Sequence, residues 1–192
     1  AVKAGLQVVP AEVSGGGRFD LIALAGGIPE LAWSRNPDWT RHVFAGGLNR
    51  MINVAALTSP RGVEQLVVAH EFANQAKNSI GIVSVLTRPA DLESPWPVRE
   101  IDRLATSHRL RVASIDRGAS PVVINSPLTG ASAEPPQYRD HAPLVFYRPG
   151  EWKREQIGDE NEGVVHGIFV TDWNGDHRDD VLTASFLGLH LY

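Results

Sequence analysis

"WTRHVF", residues 39–44, opens on a tryptophan, carries charge in its middle and closes on an apolar residue five places later. The same plan returns as WPVREI at 96–101 and WKREQI at 152–157, in two nearly equal steps along the chain. Chance supplies one such pair readily; three in register describe an internal repeat, and a repeat of this period decides the fold before any single strand is read.

The neighbours of each tryptophan segment repeat as well. A short apolar strand precedes it at 30–33, 80–86 and 143–147, and before that comes a run suited to a buried inner strand at 19–25, 65–69 and 121–125, with a fourth copy at 180–185. Each unit starts with one further strand, at 5–9, 51–57, 110–115 and 167–171, and a last short strand lies at 189–192. No segment sustains a helical period, so little helix is predicted. Four short antiparallel strands in about 50–60 residues make one blade of a β-propeller. The reading is therefore all-β, with four-stranded antiparallel blades at 1–47, 48–104 and 105–160 and an incomplete one at 161–192. About 3.75 blades do not make a comfortable ring. The chain is expected to be part of a larger, seven-bladed propeller, with the remaining blades or other domains of a longer chain as partners. A small closed four-bladed ring and a β-sandwich are the competing arrangements.

Composition narrows the classes. The 192 residues are 43% hydrophobic and 21% charged with a net charge of −4, which describes a globular chain and gives no electrostatic footprint for nucleic acid. No run approaches the ~18 apolar residues of a membrane span. Cysteine is absent, which removes disulfides, zinc thiolates and a thiol nucleophile. There is no G-x-S-x-G elbow, P-loop or G-x-G-x-x-G. No signal peptide is visible at Ala1.

The chain's densest charge is "DWNGDHRDD", residues 172–180. Oxygen donors at Asp172, Asn174, Asp176 and Asp180, with the carbonyl of Arg178, have the alternating spacing that lets a tight loop surround a hard cation such as Ca²⁺. An EF-hand is excluded, because His177 stands at its glycine position and Thr183 at its final glutamate. The metal-free reading is a hairpin loop of Asx turns. Any ion here would staple two strands rather than take part in a reaction. The equivalent loops at 59–62 and 116–119 lack the carboxylates.

A strand, a D-x-[DN]-x-D-x-x-x-D loop and a second strand resemble the FG-GAP/VCBS class of propeller repeats, whose loops usually bind Ca²⁺ and usually carry Gly where His177 stands. The stretches EGVVHGIFVTDWNGDHRDDVLTASFLGLHLY (162–192), SHRLRVASIDRGASPVVINSPLTG (107–130) and PLVFYRPGEWKREQI (143–157) are similar to the seven-bladed propeller of the aldos-2-ulose dehydratase family and its rhamnose–glucuronate lyase neighbours. The resemblance covers about residues 30–192. It implies β-elimination on a sugar substrate at the axial face, metal ions, and an extracellular or periplasmic location.

Residues entering the innermost strands face the axis of a propeller, which makes Arg50, Asn53, His108, Arg109 and His166 the first candidates. His108 and His166 lie an even number of residues before Asp116 and Asp172, so in extended chain both imidazoles fall on one side. Histidine can take a proton α to a carbonyl, and arginine can hold the enolate-like charge that results. The expected catalytic set is His108, His166, Arg50 and Arg109, with Asn53 on the substrate; the bland reading is hydrogen bonding between blades. His70, followed by Glu71, offers a substrate contact or, with help from another blade, a Zn²⁺ ligand. The long insertion at 126–144 places Tyr138 and His141 at a substrate rim, unless it is a packing arm between blades. His42, His177 and His190 read as surface or loop residues. The function expected is a carbon–oxygen lyase or dehydratase acting on a sugar or oligosaccharide. The alternative is a non-catalytic Ca²⁺-binding propeller that recognises glycan or protein.

Overall fold

The computed structural model describes residues 5–192 as a β-propeller arc, with fifteen strands in four antiparallel sheets that follow one another in chain order. Blade 1 is β1 (Gly5–Ala11), β2 (Asp20–Ala25), β3 (Ile28–Arg35) and β4 (Thr40–Gly46). Blade 2 is β5 (Asn53–Ser59), β6 (Gly62–His70), β7 (Ile82–Thr87) and β8 (Val98–Arg103). Blade 3 is β9 (Ser107–Ala113), β10 (Val122–Pro127), β11 (His141–Tyr147) and β12 (Arg154–Glu162). Blade 4 has three strands, β13 (Ile168–Thr171), β14 (Asp180–Ser185) and β15 (Gly188–Leu191). Among the described residues the one helical element is a 3₁₀ turn, Ala76–Asn78, and no helix is long and apolar enough to cross a membrane.

Every sheet is a simple meander, so β1, β5, β9 and β13 are its first strands. These strands touch in sequence, β1 with β5, β5 with β9 and β9 with β13, which sets the blades radially about one axis. The core lies between blades rather than inside one. Ile22, Leu24, Trp33 and Phe44 of blade 1 meet Val54, Leu66, Val68 and Leu86 of blade 2. The opposite face of blade 2, with Ala55, Leu57, Val67 and Val85, meets Leu110, Val123, Val145 and Tyr147 of blade 3. A strand buried on both faces needs apolar residues at every position, which is why "LVVA" in β6 shows no alternation.

The tryptophan repeat has a physical reason. Trp96 packs edge-on against Phe44, the last residue of the first repeat, with ring centroids 4.8 Å apart, and its backbone N–H donates to the Phe44 carbonyl at 2.7 Å. Trp152 is buried in the cluster against which Ile101, the last residue of the second repeat, packs. Trp96 and Trp152 thus each pack toward the apolar end residue of the preceding blade. They are 2% and 5% exposed, while Trp39, in blade 1, is 50% exposed. The tryptophans stand in the turn ahead of the fourth strand rather than within it. Trp39 and Trp152 have φ of 59° and 54° and donate to the carbonyls of Arg35 and Arg148, four residues back.

Side-chain amides tie the first strands together. Gln7 pairs with the backbone of Val54 through both its oxygen and its nitrogen, at 2.7 and 3.1 Å, and Asn53 Oδ1 accepts the Leu110 N–H at 2.8 Å. Gly62 lies so close to the Glu12 carbonyl that a β-carbon there would collide with it. One histidine departs from its sequence reading. His42 stacks on Trp33 at 4.5 Å and sets Nδ1 2.8 Å from Glu93, so it is a packed residue rather than a free surface one. Leu6, Val8 and Leu21 on the outer face of blade 1, and Phe169, Leu189 and Leu191 on that of blade 4, are exposed.

Candidate functional site

Three consecutive blades contribute one ring each to a row at the ends of their first strands. Phe72, in the loop after β6, lies 5.3 Å from His108 at the start of β9, and His108 lies 5.1 Å from His166, just ahead of β13. His108 sits where the β9–β10 register slips, with Arg109 opposite Ser126 and Ser107 opposite Pro127. Proline brings no N–H to the ladder, so a bulge forms here and leaves His108 without a pairing partner. His166 is placed by Val165, which is fully buried and donates its N–H to the Leu128 carbonyl at 2.7 Å. The two rings thus lie side by side, with His108 at the irregular start of β9 and His166 ahead of β13, rather than both in the regular extended strand that the even-offset reasoning used.

The two imidazoles have different chemistry. His108 is 3% exposed and its Nδ1 is buried without a partner. Burial first, then the charges of Arg109, His166 and Arg111, push its pKa down to about 3, so at neutral pH it is an uncharged ring. His166 is exposed, and its carbonyl accepts from Arg109 Nε at 3.1 Å. This leaves a solvent-facing imidazole backed by a neutral one and a guanidinium.

Arg50 joins the row through Phe72, whose N–H donates to the Arg50 carbonyl at 3.2 Å. Its guanidinium is already held by Glu71, with Nε at 3.1 Å, and by the Asn78 carbonyl at 3.3 Å. Arg50 and Glu71 both have left-handed backbones, φ 49° and 52°. The Arg50 hydrogen bond, then that of Asn49, lowers the Glu71 pKa, keeping the pair ionised. Asn53, placed on the substrate by the sequence reading, is buried, and its Oδ1 is taken up by the Leu110 N–H as a tie between blades 2 and 3. His70 and Glu71 turn to different partners, since His70 Nε2 meets Ser84 Oγ at 3.0 Å inside the blade while Glu71 faces Arg50. The structure does not bring them together as metal ligands. Tyr138 is half-buried with φ 51°, and His141 is exposed with Nδ1 2.8 Å from the Asp159 carbonyl. Neither shares a hydrogen bond or ring contact with the histidine row.

In the acidic loop, Asn174, Asp176, Asp179 and Asp180 line one hollow of about 260 Å³, beside Arg178. Asp172 accepts the N–H groups of Gly175, Asp176 and His177 at 2.7, 3.1 and 2.9 Å, and Asp180 accepts that of Trp173 at 2.9 Å. Asp176 pairs with Arg178 at 2.5 Å, and Asp179 accepts the Ser114 N–H at 2.7 Å, linking blades 3 and 4. Backbone amides and a chain-supplied guanidinium thus balance the carboxylates, and among the described residues no three carboxylates or imidazoles converge on a point. His177 has φ 64°, a left-handed conformation that favours glycine.

The chain matches no family model and no curated protein. Its fold and site therefore rest on the residues themselves. Sequence reasoning overlooked Phe72; the signal available was an aromatic placed directly after a strand end, in the loop following His70 and Glu71.

Proposed function

We propose that the axial face of this propeller binds an oxygen-rich sugar and catalyses carbon–oxygen elimination. The observation that carries the reading is the His108–His166 pair at 5.1 Å, with only His166 open to solvent. His166 takes the proton α to a carbonyl or carboxylate of the sugar. The electron pair of that C–H bond forms the new C=C bond, and the β C–O bond breaks, its oxygen leaving with a proton from water. His108 positions the His166 ring without competing for the proton. Arg109, fixed on the His166 carbonyl, contributes positive charge where the enolate-like oxygen develops. A structural Ca²⁺ in the 172–180 loop belongs to the same proposal and requires Arg178 to release Asp176. An extracellular or periplasmic location follows from that class of enzyme. Further blades are proposed as partners for the outer faces, since Trp39 is half-exposed where its repeats are buried.

The test is incubation with keto-sugars and uronate oligosaccharides while following absorbance of a new conjugated double bond. Turnover abolished by His166→Ala supports the reading, and no absorbance change with any sugar overturns it. The second reading, a non-catalytic glycan- or protein-binding module with the same calcium loop, is favoured by one observation: Arg50 is ion-paired with Glu71, so its charge is already balanced and is not left to hold a developing enolate.

A further inference from the structure

Next to the histidine row is a hollow of about 340 Å³ that the sequence does not announce. Its lining includes Phe72, Arg50 and Asn74 at the rim of blade 2, and Leu6 and Gly26 from blade 1. Its volume lies within the range of sites that take small organic ligands. Three features give it a character. Phe72 is only half-buried and presents aromatic surface between the hollow and His108. Arg50 is immobilised by Glu71 and Asn78 yet remains 44% exposed, so it offers N–H groups at a fixed place without first losing side-chain freedom. Gly26 lets Leu6 lie close along the opposite wall, since a β-carbon there would stand 3.1 Å from Leu6 Cδ1.

An aromatic face flanked by a fixed guanidinium and a side-chain amide matches a ligand with one apolar face and a polar circumference. That is the surface of a pyranose ring, whose axial C–H groups pack on an aromatic plane while its hydroxyls need donors and acceptors around the edge. Phe72 is separated from His166 by the whole His108 ring. A sugar over Phe72 is therefore not the sugar whose proton meets His166, but its neighbour in a chain. We infer that the Phe72 hollow is a second sugar subsite, and that the ligand of this face is an oligosaccharide of at least two rings rather than a monosaccharide. The inference rests on the sugar reading of the axial face, and it adds Phe72, Arg50 and Asn74 as binding residues.

The experiment compares uronate mono-, di- and trisaccharides by calorimetry on the intact chain and on Phe72→Ala, Phe72→Leu and Phe72→Trp, each checked for wild-type circular dichroism. The expected result is about tenfold tighter binding of the disaccharide than the monosaccharide, lost in Phe72→Ala and Phe72→Leu, and kept in Phe72→Trp. Phe72→Leu retains apolar bulk, so loss there is not a packing defect. Length-independent binding, a length effect unchanged in Phe72→Ala, or no binding by any member overturns the subsite. Length-dependent binding that needs Phe72 without any elimination product sustains the subsite and removes the lyase reading. Elimination indifferent to Phe72 does the reverse.

Discussion

At the scale of single residues, burial decides chemistry more than identity does. His108 and His166 are the same amino acid 5.1 Å apart, but only one is enclosed. A histidine whose pKa falls on folding binds fewer protons in the native than in the unfolded chain. Its contribution is thus intact above pH 6.5 and is lost as pH falls from 6.5 toward about 3. Between about pH 7 and pH 4 that loss is on the order of 3 kcal/mol. His108→Phe should flatten this part of the acid profile, read from urea midpoints at the two pH values; an unchanged slope would mean that His108 does not carry it. Tyr147 is the other sensitive residue. Its hydroxyl donates to Asp102 at 2.7 Å and accepts from Asn125 at 3.0 Å, across the blade 2–3 boundary. Asp102 also receives Arg154 Nε at 2.8 Å. Burial raises the Asp102 pKa, but the hydrogen bonds from Arg154 and Tyr147 outweigh it and leave the carboxylate ionised. Tyr147→Phe strips one partner from each neighbour and should cost about 1–3 kcal/mol in urea unfolding.

At the scale of elements, a repeated residue has a repeated role only where its partner element is present. Trp152 fills the seam between blades 2 and 3, and Trp152→Ala should lose about 3–5 kcal/mol. Trp39, its counterpart, is half-exposed, and Trp39→Ala should change the stability of this chain by no more than about 0.5 kcal/mol. Equal losses in thermal or urea denaturation would contradict the role given to the repeat. The acidic loop is an element of the other kind, held by its own polar groups. Asp172→Ala removes the acceptor of three backbone amides, so Gly175, Asp176 and His177 should exchange hydrogen faster while the rest of blade 4 is unaffected. Adding Ca²⁺ to the wild type should slow the same amides if the ion displaces Arg178, and identical exchange with and without Ca²⁺ would remove the cofactor from the proposal.

For the whole molecule, an arc of blades with a core at each seam has two end faces that no seam covers. Leu6, Val8, Phe169, Leu189 and Leu191 stand exposed on them, more apolar surface than scattered single residues explain. Of the five tryptophans, Trp39 and Trp173 are exposed at 50% and 62%, so acrylamide should quench the emission of those two and spare Trp33, Trp96 and Trp152. In a preparation with a further blade ahead of blade 1, Trp39 should become protected. Quenching of Trp39 that is indifferent to added blades would remove them as partners. The repeat alone determined the blades: a tryptophan and an apolar residue five places later recur because each blade must seat the next, and apolar runs mark strands covered on both faces. That signal is local and periodic, so it can be read along the chain. Contact across the fold is neither. Only the tertiary structure decided that Asn53 ties two blades, that Arg178 neutralises Asp176, that a bulge opposite Pro127 brings His108 beside His166, and that Phe72 extends their row. Those groups lie far apart in sequence and meet because the blades turn about a common axis, and it is that meeting that leaves one histidine buried and neutral and its neighbour exposed to solvent.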